Sequence, residues 1–95
     1  MAKGYIIASV NVTNPDAYAA YAKAASVAVA KFGGTYLVRG GRVESLEGVT
    51  RARNVVLEFP HYQAAHDFYH SPEYTAARAL RQNAADASFL LVEGA

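Results

Sequence analysis

The chain has no cysteine, which excludes disulfides, thiolate nucleophiles and thiolate metal sites. An excess of one charge is missing as well. Nine Lys and Arg stand against eight Asp and Glu, a net charge of +1, and the basic residues are dispersed, so nothing attracts a phosphate backbone and nucleic acid is not an expected partner. No stretch reaches the ~18 consecutive apolar residues of a membrane span, and residues 1–10 hold Lys3 but no apolar run of signal-peptide length. A soluble, cytoplasmic protein without a membrane partner is the expectation. There is no Gly-x-Ser-x-Gly elbow for serine catalysis, and there are no linkers, repeats or low-complexity segments.

What the chain does have is apolar surface: 53% of its 95 residues are hydrophobic. One domain over residues 1–95 buries only about two-thirds of its unfolded surface at this size. Its core is too thin to cover that much apolar side chain, so self-association as a homodimer is expected.

Residues 53–81 organise the rest. Val55, Val56, Leu57 and Phe59 read as a buried strand, and Pro60, which has no amide donor, ends it. A helix follows and stops near His70, because Pro72 disfavours helical backbone at Ser71. Ser71-Pro72-Glu73 then restarts one, with a capping hydroxyl, proline at the first helical position and a carboxylate at the positive end of the dipole.

From the start of the chain, Tyr5–Val12 alternates, with Ile6, Ala8, Val10 and Val12 on one side and Tyr5, Ile7, Ser9 and Asn11 on the other. Thr13-Asn14-Pro15-Asp16 opens a helix to about Phe32, with Tyr18, Ala22, Ala25, Val29 and Phe32 on its inner face and Gly33-Gly34 as its stop. Tyr36–Arg39 is a second strand. Gly40-Gly41 bends the chain, Arg42–Leu46 is expected as a short extension, and the third strand runs from about Ala52 to Phe59. Ser88–Glu93 closes as the last strand. The order is β-α-β-β-α-β with a split second helix. With right-handed crossovers it gives an α+β, ferredoxin-like fold: a four-stranded antiparallel sheet with helices on one face. The bare face is too apolar for water alone.

Four segments also carry a resemblance: Asn14–Tyr21, Gly33–Gly41, Asn54–Pro60 and Tyr69–Tyr74. In this order they are similar to the family called domain of unknown function 1330, over nearly the whole chain. The resemblance implies a dimeric α/β barrel, two subunits packed sheet to sheet, with a pocket between sheet and helices or within the barrel. It supplies no established reaction, and no cofactor is expected. The superfamily includes cofactor-free monooxygenases, lactone isomerases and haem-binding enzymes, so the fold does not select a chemistry. One departure is His61, which stands where a small cap such as serine is expected; neutral imidazole can accept from a helix start, and imidazolium cannot.

The leading polar cluster is on the sheet. The third strand lies between the first and second, so Glu58 is expected beside Arg39 on one side and Ser9 or Asn11 on the other, with Arg53 and Asn54 as reserve partners. Two roles are open: a structural ion pair, or a pocket in which Glu58 is a general base and Arg39 and Asn11 hold substrate. His70, beside the helix break, is the preferred acid or base among three histidines, against the plainer role of a helix-terminal imidazole. His66 and His70 are four apart but lack the glutamate and third ligand of a zinc site, so no metal is expected. Arg78 and Arg81 can bracket a carboxylate, and Arg81 is taken as a second anchor for a small organic anion. Tyr18, Tyr69 and Tyr74 read as packing, while Tyr5 and Tyr36 stand where core and open faces divide. The expected function is a small-molecule pocket, either a cofactor-independent enzyme on an organic acid or enol, or a non-catalytic ligand-binding dimer.

Overall fold

The computed structural model describes residues 2–95. Its elements are β1 (Gly4–Val12), α1 (Pro15–Lys31), β2 (Thr35–Arg39), β3 (Arg53–Phe59), α2 (Tyr62–Tyr69), α3 (Pro72–Leu80) and β4 (Ala85–Glu93). The sheet is four-stranded in the order β2-β3-β1-β4, each neighbouring pair antiparallel, and within one chain it is open. This is the expected ferredoxin-like α+β arrangement with its second helix split. No helix among the described residues is long and apolar enough to cross a membrane.

Alternation on β1 sends Ile6, Ala8 and Val10 to the helix side, where they are buried with Leu57 and Phe59 of β3. Tyr18, Tyr21, Ala25, Ala28 and Val29 of α1 cover them, with Ala65 and Phe68 of α2 and Tyr74 and Ala77 of α3. Alanines on α1 let its backbone approach the sheet. Gly34 serves the same closeness, since a Cβ there would come within 2.7 Å of the Phe59 ring and 2.8 Å of Val29.

The caps follow the sequence. Asn14 Oδ1 accepts from the Ala17 amide at 3.2 Å, and His61 Nδ1 accepts from the Ala64 amide at 3.1 Å, so the imidazole caps α2. Ser71 Oγ donates to the Phe68 carbonyl at 2.7 Å and accepts from the Tyr74 amide at 3.1 Å. One buried hydroxyl therefore ends α2 and starts α3. Ser71→Ala is expected to cost about 1–2 kcal/mol, the usual value of a lost cap, read as a lower urea midpoint with unchanged m-value. An unchanged midpoint would deny the cap its role.

Two boundaries differ from expectation. β4 begins at Ala85, three residues before Ser88, and pairs Ala85–Ala87 with Val10–Val12. Alanine has little strand preference of its own, so these residues join the sheet through the junction before them. There Asn83 is left-handed (φ 64°), and the Ala84 carbonyl accepts from both Thr13 and Asn14 amides at 2.8 and 3.0 Å. The expected extension at Arg42–Leu46 does not form; no strand runs between Arg39 and Arg53.

The third difference concerns register. Thr35 and Tyr36 face Glu58 and Leu57, but Val38 faces Val56 and Arg39 faces Val55, so Leu37 is a bulge. An extra residue in one strand turns every later side chain to the other face. Unbroken alternation puts Arg39 on the face of Glu58; the bulge moves it to the helix side with Tyr36.

Candidate functional site

On the helix side, β2, β3, β1 and β4 present Arg39, Val55, Ala8 and Phe89 in one row. Ala8 is small, and above it α1 offers Ala22 and Ala25, so a hollow remains between helix and sheet. Tyr18, Tyr21, Tyr36 and Tyr74 also wall it, with Arg53 beside Arg39. Its enclosed part is about 40 Å³, enough for water and below the roughly 300 Å³ of a ligand-sized pocket. The larger volume of about 500 Å³ around it includes open solvent.

The arginines are held by rings. Arg39 lies 4.1 Å over the Tyr36 ring, and its Nη2 donates to Ser26 Oγ at 2.7 Å. Ser26 in turn donates to the Ala22 carbonyl at 3.0 Å. Arg53 stands 5.4 Å over Tyr18, and its Nε is buried without a hydrogen-bond partner. Gly40 leaves room for the Arg53 guanidinium, which any Cβ at that position would strike. No carboxylate lies within 4.0 Å of Arg39, Arg53 or Arg81 among the described residues.

Deeper in, the hydroxyls of Tyr21 and Tyr74 meet at 2.8 Å. Burial, and then the neighbouring Tyr74, push the Tyr21 phenol well above the ordinary tyrosine range, and burial raises Tyr74 too. Both stay protonated, one hydroxyl donating to the other. Arg81 stands behind them, 5.2 Å from the Tyr21 ring and 4.4 Å from Phe89, with a buried, unpartnered Nε. A folded-state value raised above the unfolded value of about 10 gives stability that is intact below pH 10 and lost as pH rises past it, because only the unfolded chain then releases these protons. The urea midpoint is therefore expected to fall as pH rises above about 10, and Tyr21→Phe should flatten that fall. Equal slopes in both proteins would contradict the assignment.

The structure separates the expected polar cluster. Glu58 is on the open face, between Tyr5 and Thr35 in register; it accepts from the Tyr5 hydroxyl at 3.1 Å and has Lys3 Nζ at 3.8 Å. The Glu58–Arg39 pair does not exist, because the Leu37 bulge puts the two on opposite faces. Asn11 is also on the open face, accepting from the Ala52 amide at 3.0 Å. His70 caps α2, its Nδ1 2.9 Å from the His66 carbonyl and its ring stacked on His66 at 4.3 Å. It borders a separate hollow with Tyr69, Phe89 and Leu90. No group of three metal-ligating side chains occurs among the described residues. Of the expected anchors, Arg39 lines the cleft and Arg81 backs its floor.

This geometry changes what Glu58→Gln should do. With its partners part-exposed, the substitution is expected to cost under about 1 kcal/mol, a Tm change of a few degrees, instead of the roughly 3 kcal/mol or more of a broken buried pair. A drop above about 12 °C would show that Glu58 carries a buried pair after all.

Arg53 was not singled out for this cleft by the sequence, although it lies two and four residues before Val55 and Leu57 and so shares their helix-side parity. Tyr21 had no distinguishing local signal; its hydroxyl partner is 53 residues away.

The model of the domain of unknown function 1330 family matches residues 3–95. The chain belongs to this family. Among curated proteins, none matches. A solved protein of unknown function from Rhodopseudomonas palustris is 19% identical, with TM-score 0.78 over 99% of this chain and 83% of that one. A dimeric protein of unknown function and ferredoxin-like fold from Bacteroides fragilis is 13% identical, with TM-score 0.65 over 96% and 95%. SnoaB, a cofactor-independent oxygenase from Streptomyces nogalater, is 8% identical, with TM-score 0.66 over 97% and 92%. At such identities the likeness is one of fold.

Proposed function

We propose that the chain binds a small organic acid or enol, as its anion, in the cleft between α1 and the sheet. The pair Arg39 and Arg53 carries this reading: two guanidiniums line one largely apolar cleft and neither has a carboxylate partner. Arg53 is half-buried with an unpartnered Nε, which is costly without a counter-charge, and a bound anion supplies that charge, while Arg39 is exposed and adds its donors. Arg39 lies over the Tyr36 ring and gives one Nη2 N–H to Ser26, so its remaining N–H groups can serve the oxygens of a carboxylate. Tyr18, Ala22, Ala25 and Val55 suit the apolar body of such a ligand.

A second reading, that of a cofactor-independent enzyme, is favoured by the Tyr21–Tyr74 pair. A protonated phenol facing the cleft can donate to the oxygen of an enolate held by the arginines. SnoaB, of similar fold, is a cofactor-independent oxygenase. Glu58 and His70 stand outside the cleft, so in this reading the hydroxyls replace them at the ligand.

The assembly proposed is a homodimer through the open sheet face. Ile7, Val38, Leu90 and Val92 are exposed there, Leu90 by 53%, forming an apolar patch that none of the described residues covers. Two solved neighbours of this fold are described as dimeric.

Thermal denaturation with benzoate and cyclohexanecarboxylate, and with their neutral counterparts benzamide and cyclohexanecarboxamide, tests the binding reading. Ligand at a hundred times its Kd stabilises by about 2.7 kcal/mol, or roughly 10 °C or more here. The acids should raise Tm and the neutral compounds should not. Equal responses, or none, would overturn the proposal. Oxygen uptake with acetylacetone separates catalysis from binding.

A further inference from the structure

We infer that residues 40–52, between β2 and β3, form an arm that docks on a second copy of the chain. The inference rests on the dimer reading above. Every residue from Gly40 to Thr50 is exposed, and the segment has no strand or helix. At a spacing of three it carries Val43, Leu46 and Val49, exposed by 48%, 84% and 104%. Single exposed apolar residues are ordinary, but three on one projecting segment have no cover within this chain.

The arm is built in place. Ser45 Oγ donates to the Gly48 carbonyl at 2.9 Å within it, and Gly48 is left-handed (φ 77°). At its base, the Ala52 amide donates to Asn11 Oδ1 at 3.0 Å, and Arg51 Nη1 donates to Ser88 Oγ at 2.7 Å. Asn11 and Ser88 both belong to the open face of the sheet, so the arm continues the surface proposed for the dimer.

Area favours the same occupant. Four strands about 4.8 Å apart, the longest some 30 Å long and two of them shorter, give a face of roughly 500 Å² in projection. A stable interface takes about 800 Å² of accessible surface from each partner, a measure that exceeds the projected area of a corrugated face, so face and arm together are of dimer size. The arm supplies further apolar surface at the rim. Its charges, Arg42 and Arg51 against Glu44 and Glu47, balance, which suits pairing of identical surfaces about a two-fold axis. Arg39 and Arg53 flank the arm, so docking it also holds the mouth of the cleft.

Sedimentation velocity between about 0.1 and 100 µM on the full chain and on Val43→Ser/Leu46→Ser/Val49→Ser tests this, with circular dichroism melts to show that the variant is folded. Loss of three buried apolar side chains should raise the dimer Kd at least ~100-fold. Trypsin should cut after Arg42 slowly in the dimer and quickly in the variant. A dimer of wild-type affinity in the variant, with Arg42 equally open in both, would overturn the arm and leave the sheet-face dimer standing. A monomer at the highest wild-type concentration would overturn the dimer reading and the arm with it. Should the triple variant not fold, Leu46→Glu alone is read the same way.

Discussion

Phe68→Ala is expected to lower the Tm by about 15–30 °C, because truncating a buried phenylalanine costs roughly 3–5 kcal/mol and each kcal/mol moves a domain of this size by about 4–8 °C. Phe68 is 1% exposed and is where the two halves of the split helix meet the sheet. Its ring is 5.0 Å from Phe59 on β3, 4.8 Å from Tyr74 on α3 and 6.3 Å from Phe32 at the end of α1. The helices around it are fixed by Ser71 and His61, so little can move to fill the space, and the cavity term should be felt in full. Against an ordinary stability of about 5–15 kcal/mol, such a loss removes from about a fifth to all of it. A melt shifted by less than about 8 °C would mean that the ring is not packed as described.

The second large effect concerns ligand. Arg39→Met with Arg53→Met should weaken benzoate binding at least ~100-fold, since each hydrogen bond to a charged group contributes about 1.5–3 kcal/mol. Methionine keeps the unbranched apolar stem over Tyr36 and Tyr18 and removes only the cation and its donors. Arg39 is exposed, and neither arginine has a salt bridge to lose, so the fold should hold. Arg78→Met, on the exposed side of α3, should leave affinity unchanged. Equal affinity in the double variant and wild type would remove these arginines from the site.

The fold was legible where residues carry strong local geometry. Asn14-Pro15 and Ser71-Pro72 place helix starts, Gly33-Gly34 stops α1, and alternation on β1 assigns its faces. β4 was read late because Ala85 and Ala87 have no strand signature of their own. The site was less legible for a sharper reason. Alternation is reliable only while register is unbroken, and nothing in Leu37-Val38-Arg39 announces a bulge. One extra residue separated Arg39 from Glu58 and joined it to Tyr36 and Arg53. The tyrosine pair depends on a contact between α1 and α3 that no local pattern encodes.

The proposed role of the cleft is tested most directly by following arginine Nε–H resonances in an NMR titration of the full chain with benzoate. Binding as proposed should move the Arg39 and Arg53 signals saturably, with nuclear Overhauser contacts from the ligand ring to Tyr18 and Ala22, while Arg78 stays fixed. Saturable binding that leaves Arg39 and Arg53 unmoved, or contacts confined to the open face beside Glu58, would contradict it.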